Sequence, residues 1–326
     1  GTEDGHLFGN VYNFSPDGNY REEATGHTTG TNIPHLIKPV EEIAVSKGMT
    51  VEEFTAKLNE LREKLFLARK ERIHPLKDDK ILTDWNGLMI AAFAKGAQIL
   101  NDTAYAKIAR RAADFVMENL QKRDGRLLKR YREGEASLPA HLEDYAFFAW
   151  GLIELYEATF DVKYLSEAMR VTDLMSDLFW DEDGGGFYFT ADGGEEHIVR
   201  TKDLVDGAIP SGNSVAAIVL LRLGRISGNT QYEQMASTIG KVFSEKIAQA
   251  PMGYTQLLSA VDFGLGPSYE IVIVGDRNSE DTQAMLQRLQ ESFIPSKVVL
   301  LKPLDGQAKE IVKIAPFTET QMAIEG

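Results

Sequence analysis

The chain has 326 residues, of which 43% are hydrophobic and 26% charged. That is enough apolar material for a large core and excludes disorder for the bulk of the chain. Its 35 basic and 49 acidic residues give a formal charge of −14, which argues against nucleic acid as a partner. Cysteine is absent, so disulfides, a cysteine-based zinc site and a cysteine nucleophile are excluded within these residues. There is no apolar run of membrane length and no signal-like start, so no membrane association and a cytoplasmic location are expected.

Residues 1–35 are rich in Gly, Asn and Thr and predict an irregular segment, with Leu7–Phe8 and Val11–Tyr12–Asn13–Phe14 as strand pieces. A short helix follows to Lys47, with Gly48 as its cap. Thr50 and Glu53 form a capping box that opens a long helix to about Arg72, with Leu58, Leu61, Leu65 and Ala68 on its packed face.

From residue 86 the pattern becomes regular. Residues 86–100, 142–158 and 213–226 are apolar nearly all round. Each is followed by an amphipathic helix, at 103–120, 163–179 and 230–248. The joints repeat as well, a polar residue preceding a tyrosine by three: Asp102 and Tyr105, Asp161 and Tyr164, Asn229 and Tyr232. A helix that is apolar all round must be enclosed, whereas a striped one can face water. The pattern therefore predicts a mainly α fold, an α/α toroid or an arc of one, with an inner and an outer layer of helices. The long loops 123–141 and 181–212 lie on one side and carry small hairpins, Leu127 to Tyr131, and Phe187 to Phe189 against His197 to Arg200. The tail changes character: 269–275 and Val298 to Leu301 read as strands around a helix at 279–292, a small α/β appendage. Gly275–Asp276 lacks a dinucleotide fingerprint. The expected division is 1–35 irregular, 36–267 toroid body and 268–326 appendage.

The inner helices open on polar motifs: Asp84–Trp85–Asn86–Gly87, His141–Leu142–Glu143–Asp144–Tyr145 and Pro210–Ser211–Gly212–Asn213–Ser214. In a toroid these N-termini converge at one mouth, where orphan backbone N–H groups also point. Asp84, Glu143 and Asp144 supply the paired carboxylates that glycoside hydrolysis needs. His141 is the best placed acid or base for an epimerase, ahead of His197. His6, His27, His35 and His74 are scattered. Trp85, Tyr145, Trp180, Phe187 and Tyr188 offer aromatic platforms, and Asn86, Ser211 and Asn213 offer hydrogen bonds to a polar ligand. Thr83, Asp84, Ser211 and Asn213 are equally good N-caps, so structural and ligand-facing uses stand side by side. Trp150 lies inside an apolar helix and is expected in the core. Arg130, Arg132 and Arg200 are expected to pair with neighbouring carboxylates rather than clamp an acidic substrate. No metal-ligand spacing, cofactor motif or G-x-S-x-G elbow occurs, so neither metal nor cofactor is expected.

The segments Asp79 to Leu88, Leu142 to Ala146, Phe179–Trp180–Asp181 with Gly184 to Phe187, Pro210 to Ser214, Val272 to Asp276 and Lys297 to Leu301 together resemble the DUF255 family, which includes bacterial YyaL-type proteins and spermatogenesis-associated protein 20. The resemblance covers nearly the whole chain. It implies a six-hairpin glycosidase-like α/α region similar in fold to N-acylglucosamine 2-epimerases, carried in family members behind a thioredoxin-like domain. On that basis the chain is expected to be part of a longer protein, with the thioredoxin-like domain as its partner. Two functions are open: a carbohydrate-binding or carbohydrate-processing domain taking a sugar or other small polar ligand, or a non-catalytic scaffold supporting the thioredoxin-like domain. A redox role would need cysteines that these residues lack.

Overall fold

The computed structural model describes residues 1–192 and 199–323. It divides into two compact units, 1–78 and 79–326. The helix at 51–70 therefore belongs to the first unit and not to the toroid body, which starts later than the pattern predicts.

In the first unit, α1 (Thr2–Val11), α2 (Val40–Ser46) and α3 (Val51–Lys70) surround a small core of Val11, Tyr12, Ala44, Phe54 and Leu58. Residues 2–11 are a helix, where strand pieces were expected. The reason is spacing: Leu7, Phe8 and Val11 fall on one helical face and pack together into that core. The Thr50–Glu53 capping box forms as expected. Leu61 is buried, but Leu65 is exposed, so the packed stripe of α3 ends one turn early.

The second unit begins with β1 (Ile81–Leu82), which leads directly into α4 (Thr83–Leu100). Then come α5 (Thr103–Asn119), the hairpin β2 (Leu128–Arg132) and β3 (Glu135–Pro139), α6 (Leu142–Thr159) and α7 (Val162–Phe179). They are followed by α8 (Gly212–Ser227), α9 (Thr230–Val242), α10 (Ser244–Gln249) and α11 (Thr255–Leu265). Helices α4, α6, α8 and α11 pack side by side as the inner layer, while α5, α7 and α9 each return antiparallel on the outside. The predicted enclosure holds for α6 and α8, which are buried nearly throughout, but not for α4, where Met89, Ile99 and Leu100 are exposed because only one neighbour, α6, packs beside it in the inner layer.

Glycine sets the inner spacing between α4 and α6. A Cβ on Gly87 would lie 2.5 Å from the Phe147 carbonyl carbon, and one on Gly151 would lie 2.6 Å from the Gly87 oxygen. No side chain fits between the two backbones there.

The hairpin joints share one construction. Helices α4, α6 and α8 each end on a left-handed residue, Asn101, Phe160 and Gly228. Each outer helix is capped by the next side chain: Asp102 accepts from the Ala104 N–H, Asp161 from Lys163 and Asn229 from Gln231.

The hairpin of the first long loop pairs with β1 to form a three-stranded antiparallel sheet in the order β1-β2-β3. In the second, Trp180 bridges Phe187, and the Phe189 N–H donates to the Thr201 carbonyl. The expected partner strand from His197 lies partly outside the described residues.

The tail forms β4 (Tyr269–Val274), α12 (Glu280–Glu291), β5 (Lys297–Lys302) and α13 (Ala308–Ile314), with β4 and β5 parallel. It docks on the C-terminal end of α6. The Leu301 N–H donates to the Tyr156 hydroxyl (3.2 Å), and Arg277 donates to the Phe160 carbonyl (2.5 Å).

Candidate functional site

The N-termini of the inner helices converge as their motifs predict. Asp144 ties two of them together. Its Oδ2 accepts from the His141 N–H (2.8 Å) at the start of α6, and its Oδ1 accepts from the Asp84 N–H (3.0 Å) in the first turn of α4. A second carboxylate, Asp206, does the same for the other pair. It accepts from the Ser211 N–H (2.9 Å) ahead of α8 and from the Gln256 N–H (2.8 Å) in α11. Four inner helices are thus joined in pairs by two aspartates lodged among their orphan donors.

Lys129, projecting from β2, closes the first junction. Its ammonium lies 2.6 Å from Asp84 Oδ2 and 3.3 Å from Asp144 Oδ1. Burial pushes the Asp144 carboxyl up to about 7, and the nearby Asp84 charge adds to this against the pull of Lys129. Burial works against the Lys129 charge, but Asp144 and Asp84 outweigh it and raise its pKa. Glu143, half-buried beside them, is also pushed up by burial, with Asp84 and Asp203 as nearby like charges. Asp84, Glu143, Asp144 and Lys129 therefore form one coupled group, in which a carboxyl can hold a proton near neutral pH.

Glu143 also lines a cavity of 410 Å³ with Lys202, Asp203, Ser211, Lys246 and Tyr254. Trp85, one residue along from Asp84, is 60% exposed. Among the described residues no three His, Asp or Glu side chains come together as a metal set.

The other predicted residues are placed as follows. His141 starts α6 with its ring stacked on Phe189, 4.6 Å between centroids. Tyr145 is buried, and its hydroxyl accepts from the Leu127 N–H (2.8 Å), so the ring faces the wall rather than the mouth. Asn86 donates to the Leu82 carbonyl (2.7 Å). Asn213 is fully buried, accepting from the Phe187 N–H and donating to the Phe187 and Asp203 carbonyls. Ser211 caps α8 through the Ser214 N–H (3.1 Å). Trp180 packs edge-on against Phe187.

Tyr188 donates to Asp181 (2.9 Å), and the Arg200 guanidinium lies 4.1 Å over its ring. Lys202 sits 2.5 Å from the same Asp181 carboxylate, whose pKa it holds below the usual range together with the Gly184 N–H. The mouth therefore brings Asp84, Glu143, Asp144 and the start of α6 together. It commits Tyr145, Asn86, Asn213 and Ser211 to holding loops and helix ends.

Arg132 pairs with Asp79 (2.8 Å), and Arg200 lies 3.7 Å from Asp192, as carboxylate partners were expected to provide. Trp150 is a correction. Although it sits in an apolar helix, it is only half-buried, and its indole N–H donates to Glu154 (3.1 Å) on the wall of a second cavity. Sequence patterning missed Lys129 and Asp206. Both lie in long loops, where only the fold decides which helix end a charge reaches.

No protein family model matches the chain. The human spermatogenesis-associated protein 20 is 33% identical over 98% of the chain, and the rat protein 35% over the same share. An uncharacterised protein of Caenorhabditis elegans is 28% identical over 82%. The chain spans 42% of the length of the two mammalian relatives and 38% of the nematode one. Among solved structures, it is similar to the cellobiose 2-epimerase of Bacillus thermoamylovorans, with 18% identity and a TM-score of 0.45 over 53% of this chain and 47% of that one. It is also similar to a family 76 α-mannanase of Bacteroides thetaiotaomicron, with 16% identity and a TM-score of 0.47 over 77% and 69%. Neither structure assigns a residue role here. Over the 42% of the mammalian relatives' length that it matches, the chain is thus a DUF255/spermatogenesis-associated protein 20-like protein.

Proposed function

We propose that this domain binds and processes a carbohydrate, or a similarly hydroxylated small molecule, at the mouth formed by the inner-helix N-termini. The observation that carries the proposal is Glu143, a half-buried carboxyl raised by burial that lines a 410 Å³ cavity. Burial favours the protonated form of such a carboxyl, the form a general acid needs. The Asp84–Lys129–Asp144 cluster beside it holds the Asp144 carboxyl, which burial pushes up to about 7, and sets the field around it. Trp85 supplies an exposed aromatic face beside the same helix start. In this scheme Glu143 is the acid, Lys129, Asp84 and Asp203 tune it, and His141 starts α6. The activity and partners of the whole protein, including the thioredoxin-like domain that the family resemblance implies, belong to the same proposal.

The test is turnover of a panel of aldoses, amino sugars and disaccharides, followed by NMR, with the wild type beside Glu143→Gln. The amide keeps the shape and removes the proton. A loss of about 100-fold or more in kcat at unchanged melting temperature supports the scheme, since positioned acids contribute about 10²- to 10⁴-fold. Equal turnover in both proteins, or no turnover of any sugar by the wild type, overturns it.

A further inference from the structure

The two strands of the appendage differ in how their outer edges are satisfied. β4 and β5 are parallel, with Tyr269 opposite Lys297 and Val274 opposite Lys302. At the two ends of the ladder the Tyr269 N–H donates to the Ser296 carbonyl (2.9 Å) and the Gly275 N–H to the Lys302 carbonyl (3.2 Å). Alternate residues of a strand send their backbone groups to opposite sides, so Tyr269, Ile271 and Ile273 face β5, whereas Glu270, Val272 and Val274 face away.

On β5 the same alternation turns Val299 and Leu301 away from β4. Helix α6 takes up their N–H groups: Val299 donates to the Glu157 carboxylate (3.4 Å) and Leu301 to the Tyr156 hydroxyl (3.2 Å). The outer edge of β4 has no such cover. Among the described residues of this unit, the backbone groups of Glu270, Val272 and Val274 have no hydrogen-bond partner. Natural edge strands are blunted by proline, lysine or a bulge. Tyr269–Val274 has neither residue and pairs without interruption. Its one charge, Glu270, is drawn to Arg225 of α8 (3.5 Å).

We propose that this edge pairs with the same edge of a second copy of the chain, antiparallel about a two-fold axis through Val272. The outward residues are symmetric about that position, so Val272 faces the partner's Val272 and Glu270 faces the partner's Val274. In an antiparallel ladder such opposed residues exchange both bonds, and every outward donor and acceptor is satisfied. The register is also set by charge. An axis through Glu270 would put two carboxylates opposite each other, which is destabilising. With the axis at Val272 they stand four residues, or about 14 Å, apart along the strands. An axis one residue away in either direction leaves one outward residue of each copy unpaired. The inference is independent of the chemistry proposed for the mouth.

Sedimentation equilibrium of the full chain from micromolar to millimolar concentration tests it. A monomer–dimer equilibrium is expected. The Glu270, Val272 and Val274 amides gain hydrogen-exchange protection as the dimer forms, while those of Ile271 and Ile273 are protected throughout. Val272→Pro removes the central N–H, sets a ring on the edge and weakens association about 10-fold or more. Val274→Glu puts a carboxylate opposite the partner's Glu270 and weakens it by about 10-fold, and adding Glu270→Lys restores it. Melting curves confirm that each variant is folded. A chain that stays monomeric across the range overturns the inference, whether those amides exchange freely or another segment covers them. So does an association that folded Val272→Pro leaves unchanged, or a Val274→Glu loss that Glu270→Lys does not restore.

Discussion

Asp144 shows how one side chain serves structure and chemistry together. It is fully buried, accepts backbone N–H groups at the starts of two helices, and touches a lysine. Its folded pKa, pushed up to about 7, lies above the ordinary value of 3.8. The folded state therefore holds this proton more tightly than the unfolded chain. The stabilisation it gives is complete below about pH 4 and is lost as pH rises through 7. Between about pH 5 and 8 the urea midpoint should fall, by on the order of 2–3 kcal/mol of stability at about 1.4 kcal/mol per unit. Glu143 shifts in the same direction, so it adds to the slope. The lowered Glu154 titrates below this window and does not oppose it. Asp144→Asn should flatten the profile, and a slope unchanged in that variant would refute the assignment.

Gly87 is the second decisive residue. On helix propensity alone Gly87→Ala would be favourable by about 1 kcal/mol. The 2.5 Å approach to the Phe147 carbonyl carbon reverses the sign, because backbone cannot move aside as a flexible side chain can. The expected result is a loss of about 3 kcal/mol or more, read as a drop in melting temperature. Glycine in the Asp84–Trp85–Asn86–Gly87 motif is thus required by helix packing, while the aspartate before it belongs to the charge cluster.

At the scale of elements, the tyrosine that opens each outer helix links the hairpins. Tyr164 of α7 donates to Asp114 of α5 (3.1 Å), and Tyr232 of α9 donates to Asp173 of α7. Both acceptors occupy the same place in their repeats, nine residues after the preceding tyrosine. Tyr105 of α5 instead stacks on Phe93 of its own hairpin. Tyr164→Phe should cost about 1 kcal/mol, and a double-mutant cycle with Asp114→Ala should show a coupling of similar size. Additive single effects would mean that the link contributes nothing to stability. The repeated tyrosine was legible in the sequence, but its partner was not. The spacing locates a turn, and only the stacking of successive hairpins brings residue 114 beside residue 164.

At the scale of the whole second unit, four inner helices run side by side, with a polar mouth at their N-termini and the α/β appendage at the C-terminal end of α6. Among the described residues no helix is long and apolar enough to cross a membrane. Helix order, capping chemistry and the appendage strands followed from local pattern, because periodicity and caps are properties of neighbours in sequence. The mouth was legible only as a set of motifs. Asp84, Glu143 and Asp144 could be named from their places at helix starts, yet the charge cluster they form is completed by Lys129, 45 residues from Asp84. Tyr145 and Asn213 looked like ligand contacts because polar and aromatic groups at a helix start suit either use, and the loops packed over them determined the outcome.

The sequence by itself determined the layering of the helices, because a residue's hydropathy and its spacing fix which faces must be buried. It also determined the hairpin joints, where a cap side chain bonds its own backbone two residues on. Only the tertiary structure decided which charges meet. It placed Lys129 between two aspartates, brought Lys297 to the Leu289 carbonyl, and turned Trp150 from the core toward the second cavity. The physical reason is that a charge or an indole is defined by groups distant in the chain, and burial and partner are set at once when the hairpins pack.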